Sequence, residues 1–192
     1  MADINGKTVV VTGGSRGIGA ALVAAFEAQG AVVWVLDQIA GSHDRNSRFL
    51  ACDVSDPDAL AGALHRISAR AEIDIYVSNA GIMREQPTHA ASASLADWSR
   101  CWSVNVMAHV QAAQFLLPRM IVRRSGYFVI VASAAGLLNQ IGNAAYSATK
   151  HAAVSFAESL AITHAEDGIG VSVVCPQYVA TPLIGLDDAD AL

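Results

Sequence analysis

The sequence predicts an α/β domain built on a doubly wound parallel sheet, and three features predict it. Short β-branched runs alternate with Ala-rich stretches along the chain. The runs are continuously apolar, as strands covered on both faces are. The first run opens directly into "TGGSRGIG" at 12–19, where a strand hands over to a helix through a glycine-rich turn.

Taken in order, strands fall at 7–12 (KTVVVT), 31–36 (AVVWVL), 49–54 (FLACDV), 73–78 (IDIYVS), 127–132 (YFVIVA) and 170–175 (GVSVVC). Helices fall near 17–29, 56–71, 94–123 and 144–167. The connection 38–48 is short and polar and defines no crossover helix. With no internal repeat, low-complexity tract or linker, the 192 residues read as one domain, long enough to bury a substantial core.

Two of the helices carry almost no charge. No Asp, Glu, Lys or Arg lies between Cys101 and Pro118, and only Lys150 and Glu158 are formally charged from Ala144 to Ala165. Either both helices are covered within the monomer, or each packs on the sheet with one face and on another subunit with the other. The second reading predicts a homodimer or homotetramer through the 99–123 and 144–167 helices.

Composition excludes several classes. A hydrophobic content of 53% with 15% charged residues argues against disorder. The net charge of −5 and the lack of a basic cluster argue against nucleic acid. Cysteines stand alone at 52, 101 and 175, which points to a reducing interior. The start "MADINGK" is too polar for a signal peptide, and no apolar stretch approaches the ~18 residues of a membrane span. The expectation is a soluble cytoplasmic protein. The histidines show no metal-ligand spacing and no acidic constellation suggests a cation site, so no metal is expected.

The glycines have separate uses at a strand-to-helix turn. Gly13 permits a turn that a β-carbon would obstruct, Gly17 lets backbone N–H groups approach a pyrophosphate, and Gly19 allows close helix–sheet packing. The helix N-terminus adds partial positive charge for the phosphates. Asp37 ends the second strand about twenty residues on, the place for bonding adenosine ribose hydroxyls, although a turn cap explains it too. Asp53 ends the third strand and could accept from the adenine amino group, or cap the helix that "DVSDPDAL" starts.

Residues 12–19 resemble the T-G-x-x-x-G-x-G motif of the classical short-chain dehydrogenases/reductases. The resemblance continues through Asp53-Val54, "NAG" at 79–81, Asn105 within "WSVNVMA", Ser133, "YSATK" at 146–150 and "PQYVATP" at 176–182. It spans nearly the whole chain in one order, and it implies a Rossmann fold with a bound nicotinamide dinucleotide. By that resemblance the cofactor lies against Ser15, Arg16 and Ile18 between the glycines, against Val54, and against Asn79, Ala80 and Gly81. It also lies against Pro176, Val179 and Thr181, with Thr181 on the carboxamide; a turn-forming role is the plain alternative for Thr181.

Tyr146 and Lys150 are i and i+4, so on a helix they share one face, and Ser133 ends the fifth strand on the ligand-binding edge of the sheet. A phenol is a poor acid or base near neutrality, and an adjacent ammonium lowers its pKa. Tyr146 then takes a proton from an alcohol or gives one to a carbonyl, and Ser133 polarises the reacting oxygen. The resemblance adds that Lys150 bonds the nicotinamide ribose and that Asn105 sustains a water-linked proton path to Lys150. From the residues alone, Asn105 is an unexplained amide in an apolar helix.

Some positions depart from the family pattern. Gln177 stands where Gly is usual, and Ser78 replaces the commoner Asn before "NAG". Cys175 reads as inert core. Residues 83–91, 137–143 and 178–192 should border the substrate, mixing Met83, Leu137, Leu138, Ile141 and Tyr178 with Arg84, Asn139 and Gln140. Such an apolar pocket with polar anchors suits a secondary alcohol or ketone. Asp37 favours NAD, with NADP less favoured because a carboxylate repels a 2′-phosphate; Arg16 pulls the other way. The family continues through a further helix and a seventh strand, so the end "LIGLDDADAL" predicts a substrate lid begun at 178–192 without its anchor and an exposed sixth strand. Alternatives are a catalytically weak truncated protein, or a dinucleotide-binding regulator.

Overall fold

The computed structural model describes residues 3–41, 48–84 and 88–185. Six strands form one sheet: β1 (Thr8–Thr12), β2 (Val32–Asp37), β3 (Arg48–Ala51), β4 (Ile75–Ser78), β5 (Gly126–Val131) and β6 (Ile169–Val174). Their order is β3-β2-β1-β4-β5-β6 and every neighbouring pair is parallel. The order reverses between β1 and β4, which leaves a crevice beyond the carboxyl ends of those two strands. Every strand expected from the sequence is present, with ends moved by a residue or a few. Most of the 38–48 connection lies outside the described residues.

The helices are α1 (Gly17–Ala28), α2 (Pro57–Ser68), α3 (Leu95–Trp102), α4 (Ala108–Arg123) and α5 (Ala144–His164). Asp56 caps α2 by accepting from the Asp58 and Ala59 N–H groups, with Pro57 at the first helical position. Ser94 caps α3 by accepting from the Asp97 N–H. The single helix expected over 94–123 is broken by a π turn, Ser103–Met107, between α3 and α4. An i to i+5 turn leaves no trace in hydrophobic periodicity, and such turns concentrate at functional sites.

Two cores flank the sheet. One face packs under α2, α4 and α5 around Leu36, Tyr76, Phe128, Leu116 and Met120. The other consists of β-branched residues of the central strands, Val9, Val11, Val33, Val35 and Val77, with Val23 of α1. β6 is an outer strand of the described sheet, and Val173 and Val174 on it are exposed. No helix among the described residues is long and apolar enough to cross a membrane.

A β-carbon on Gly19 would collide with the Gly13 carbonyl oxygen, which is backbone and cannot yield without moving the loop. A β-carbon on Gly62, in the exposed middle of α2, would meet nothing. Thermal melts of the two variants should therefore move in opposite directions. Gly62→Ala gains about 0.5–1 kcal/mol, whereas Gly19→Ala melts well below the wild type.

Candidate active site

The glycine loop is held by its neighbours rather than by its own turn. Thr12 Oγ1, at the end of β1, accepts from the Asn79 and Ala80 N–H groups at 2.9 and 3.0 Å. Asn79 Nδ2 donates back to the Thr12 and Gly13 carbonyls at 2.9 and 3.0 Å. Gly13 has φ +62° and lies so near Ala80 that a β-carbon would sit 2.9 Å from its Cα. Gly17 has φ +55°, and a β-carbon there would press on the Thr181 methyl group at 3.1 Å. The first turn of α1 carries no acidic side chain and no side-chain cap, so its N–H groups and positive dipole end face the crevice unneutralised. Ser15 Oγ is buried and has no protein partner.

Asp37 is no mere turn cap. Its Oδ2 accepts from the Ser15 N–H at 3.1 Å and its Oδ1 from the Gln38 N–H at 2.7 Å, which fixes the carboxylate beside the glycine loop. Asp53 does not cap α2, because Asp56 does. Instead Asp53 accepts from the Ser55 N–H and hydroxyl through Oδ1, while Oδ2 pairs with Arg100 of α3 at 3.0 Å. These bonds hold its carboxyl below the usual range, against a burial effect that is the largest single influence and acts upward. Arg100 belongs to the site and escaped sequence reasoning, since nothing local ties it to a strand end nearly fifty residues earlier.

Ser133, Tyr146 and Lys150 converge where the sequence places them. Ser133 starts a 3-10 turn, Ala134–Gly136, its hydroxyl accepting from the Ala135 N–H at 3.1 Å. Tyr146 and Lys150 lie one turn apart on α5, both buried. Lys150 Nζ lies 5.6 Å from the centre of the Tyr146 ring and donates to the Val131 carbonyl at 2.9 Å. The expected lowering of the Tyr146 pKa by Lys150 is absent from this arrangement. Burial pushes the phenol up and the Ser133 hydroxyl only partly offsets it, because the ammonium is drawn to the β5 carbonyl. Burial pulls Lys150 down to about 8, opposed by Cys175, which is thus not remote from the site.

Packing gives Asn105 a structural role that the residues alone did not reveal. Its amide spans the π turn to the loop after β4, accepting from the Ile82 N–H and donating to the Ile82 carbonyl, both at 2.9 Å. It also donates to Thr149 Oγ1 at 3.0 Å. Asn105 is buried behind the cavity rather than lining it.

One cavity of about 760 Å³ lies on this edge, and every other residue singled out for cofactor or catalysis lines it. Met83, Arg84, Leu138, Asn139, Gln140 and Tyr178 line its outer part, with Gln177. Leu137 and Ile141, expected there too, do not line it; both are exposed, as is Leu138, which does line it. Of the expected lid, residues 186–192 lie outside those described, as do 85–87 of the segment 83–91.

Fold and site define a doubly wound α/β protein with a glycine cradle and a Ser-Tyr-Lys cluster on one crevice. A family profile described as short chain dehydrogenase matches residues 7–190, and the chain belongs to that family. The sex determination protein tasselseed-2 of Zea mays is 36% identical over 209 aligned positions, covering 98% of this chain and 61% of that protein. Ligand-free Thermoplasma acidophilum aldohexose dehydrogenase superposes with a TM-score of 0.87 at 30% identity, covering 95% of this chain and 70% of the other. A Burkholderia phymatum short chain dehydrogenase/reductase in complex with NAD gives a TM-score of 0.85 at 26% identity, covering 95% and 69%. This chain therefore spans about three fifths to seven tenths of the length of these proteins.

His109 of α4 is a buried neighbour of the site that sequence reasoning missed, its ring Nδ1 lying 2.5 Å from Ser78 Oγ. Burial, then the Lys150 charge, pulls it down to about 3. An unfolded chain protonates this ring below about 6.5. Between those values the unfolded state binds the extra proton, so stability is full above about 6.5 and falls as the pH drops. Melting temperatures from pH 7 to pH 4 should fall more steeply in the wild type than in His109→Gln.

Proposed function

We propose that this chain is an NAD-dependent oxidoreductase that transfers hydride between the cofactor and a secondary alcohol or ketone, with Tyr146 as acid/base. The observation that carries the reading is that Ser133, Tyr146 and Lys150 open on the same cavity as the glycine cradle and Asp37. The site fits a dinucleotide: a β-carbon would fill the cradle at Gly17, and the buried Ser15 hydroxyl has no protein partner. Gly13, Arg16, Ile18 and Gly19 with the α1 N-terminus would hold the pyrophosphate. Asp37 would hold the ribose, and Val54 with Asp53 the adenine. Asn79, Ala80 and Gly81 would back the nicotinamide half, with Pro176, Val179 and Thr181 closing it and Lys150 on its ribose. The nicotinamide supplies the hydride chemistry when bound.

The chain's own groups move the proton. Tyr146, its pKa raised by burial, is protonated near neutrality and gives its proton to a carbonyl oxygen held by Ser133. Alcohol oxidation runs the same transfer backward. Asn105, by way of the π turn, supports the water-linked path that returns the proton to Lys150. The substrate reading rests on the mixed apolar and polar outer cavity, and the aldohexose dehydrogenase similarity adds polyols to the alcohols worth screening. Residues 178–192 read as the start of a substrate lid on a single domain, 1–192. The exposed Trp102, Val122 and Ile162 on the α3–α4 segment and α5 support self-association through 99–123 and 144–167. A second reading, dinucleotide binding with weak turnover, draws on the exposed Val173 and Val174 of β6, an outer strand of the described sheet.

Turnover of an alcohol found by absorbance screening tests the first reading. Tyr146→Phe should lower it by about 10²–10⁴-fold while NAD still raises the melting temperature as in the wild type. Lys150→Ala should damage both. A Phe variant keeping a tenth or so of the rate would remove Tyr146 from the acid/base role.

Cofactor choice follows from the anchored Asp37 carboxylate, since Arg16 is exposed and makes no bond to it. In titrations NAD should bind more tightly than NADP, and Asp37→Ala should shrink the gap. Tighter NADP binding by the wild type contradicts this.

A further inference from the structure

Beneath the site lies a polar group that the proposed chemistry leaves unused. Lys150 has three N–H donors, and the Val131 carbonyl takes one of them. His109, fully buried on α4, has its Nδ1 on Ser78 Oγ, while its Nε2 has no protein partner. The Asn105 carbonyl in the π turn and the Lys150 charge both act on the same ring. Two residues before Ser78 on β4, the buried Tyr76 phenol also has no bond partner; burial pushes it up and the Ser78 hydroxyl opposes that. Buried donors without acceptors beside buried acceptors without donors are ordinarily joined by a bound water. Ser78 is also one of the positions where the chain departs from its family's pattern, and its hydroxyl is the group that meets His109.

We propose that His109 is a positioning residue for Lys150: a neutral imidazole, donating from Nδ1 to Ser78, whose Nε2 lone pair accepts from the Lys150 ammonium through a bridging water. A lone pair aimed at a buried ammonium favours its charged form, and so opposes what burial does to Lys150. The cation in turn selects the tautomer that leaves Nε2 bare. The other groups facing Lys150 are Tyr146 on its own helix and Cys175 after β6. From α3, Asp97 and Arg100 are engaged with Arg84 and Asp53, and Cys101 is buried. Tyr127 of β5 is bonded to Ser172. His151, the next residue on α5, is bonded to the Ser147 carbonyl.

The proposal rests on the reading of Lys150 as the partner of Tyr146, but its test needs neither substrate nor cofactor. Lys7 and Lys150 are the only lysines, so a chain labelled with ¹³Cε-lysine gives two NMR signals, and the exposed Lys7 serves as an internal reference. In the wild type the Lys150 signal should titrate near 8. In His109→Phe the midpoint should fall by about one pH unit. His109→Gln, which returns an acceptor, should recover most of that fall. ¹⁵N-histidine spectra should show the His109 proton on Nδ1. A Lys150 midpoint unmoved in a folded His109→Phe protein overturns the proposal, as does a His109 proton found on Nε2. If the Phe variant does not fold, Ser78→Ala decides by the same criterion, because freeing the ring must also lower the midpoint. Failure here leaves the Tyr146→Phe result untouched, and a fully active Tyr146→Phe leaves this titration untouched, so the two readings fail separately.

Discussion

Everything on the ligand-binding edge depends on the reciprocal hydrogen bonds between Thr12 and Asn79. They tie the ends of β1 and β4 together just past their last paired residues, where the strand order reverses. The Asn79 amide also holds the Gly13 carbonyl, so the left-handed turn into α1 is fixed from the neighbouring strand. Because Gly19 packs on that same carbonyl, the direction of α1 and of its dipole follows from this latch. Asp37 then joins β2 to the loop through the Ser15 N–H, which extends the rigid edge to a third strand.

The second half of the site is governed by burial. Tyr146, Lys150 and His109 are all removed from water, and in each case loss of hydration is the largest influence on protonation. The directions are opposite in sign for acid and base, so the tyrosine is held neutral and protonated while the lysine is brought toward physiological pH. The result is a neutral phenol one helical turn from a lysine whose charge burial makes less stable. The one acceptor bonded to Nζ among the described residues is the Val131 carbonyl, which fixes where the ammonium sits.

The π turn links the two halves. It offsets α4 from α3 and sets Asn105 to grip the Ile82 backbone on one side and Thr149 of α5 on the other. The loop after β4 and the helix carrying Tyr146 and Lys150 are thereby fixed to each other through one side chain. Asn105 stabilises the site without entering the cavity.

The strands, the glycine cradle, Asp37 and the Tyr146–Lys150 face were legible in the sequence because each rests on local rules. Apolar runs mark buried parallel strands, positive φ favours glycine, and i, i+4 residues share a helix face. Single positions that act locally, such as Gly13 or Ser133, are readable for the same reason. The ion pair of Arg100 with Asp53, the Ser78–His109 contact and the lining of the cavity by Leu138 rather than Leu137 were not legible, since each joins or places residues by packing that no spacing encodes. Protonation belongs to that second group as well. The sequence places an ammonium beside a phenol, but only the folded chain decides that the ammonium turns to the Val131 carbonyl and that burial, not the neighbouring charge, sets the phenol. Local geometry is written in periods and propensities, whereas desolvation depends on what every other element brings to the same place.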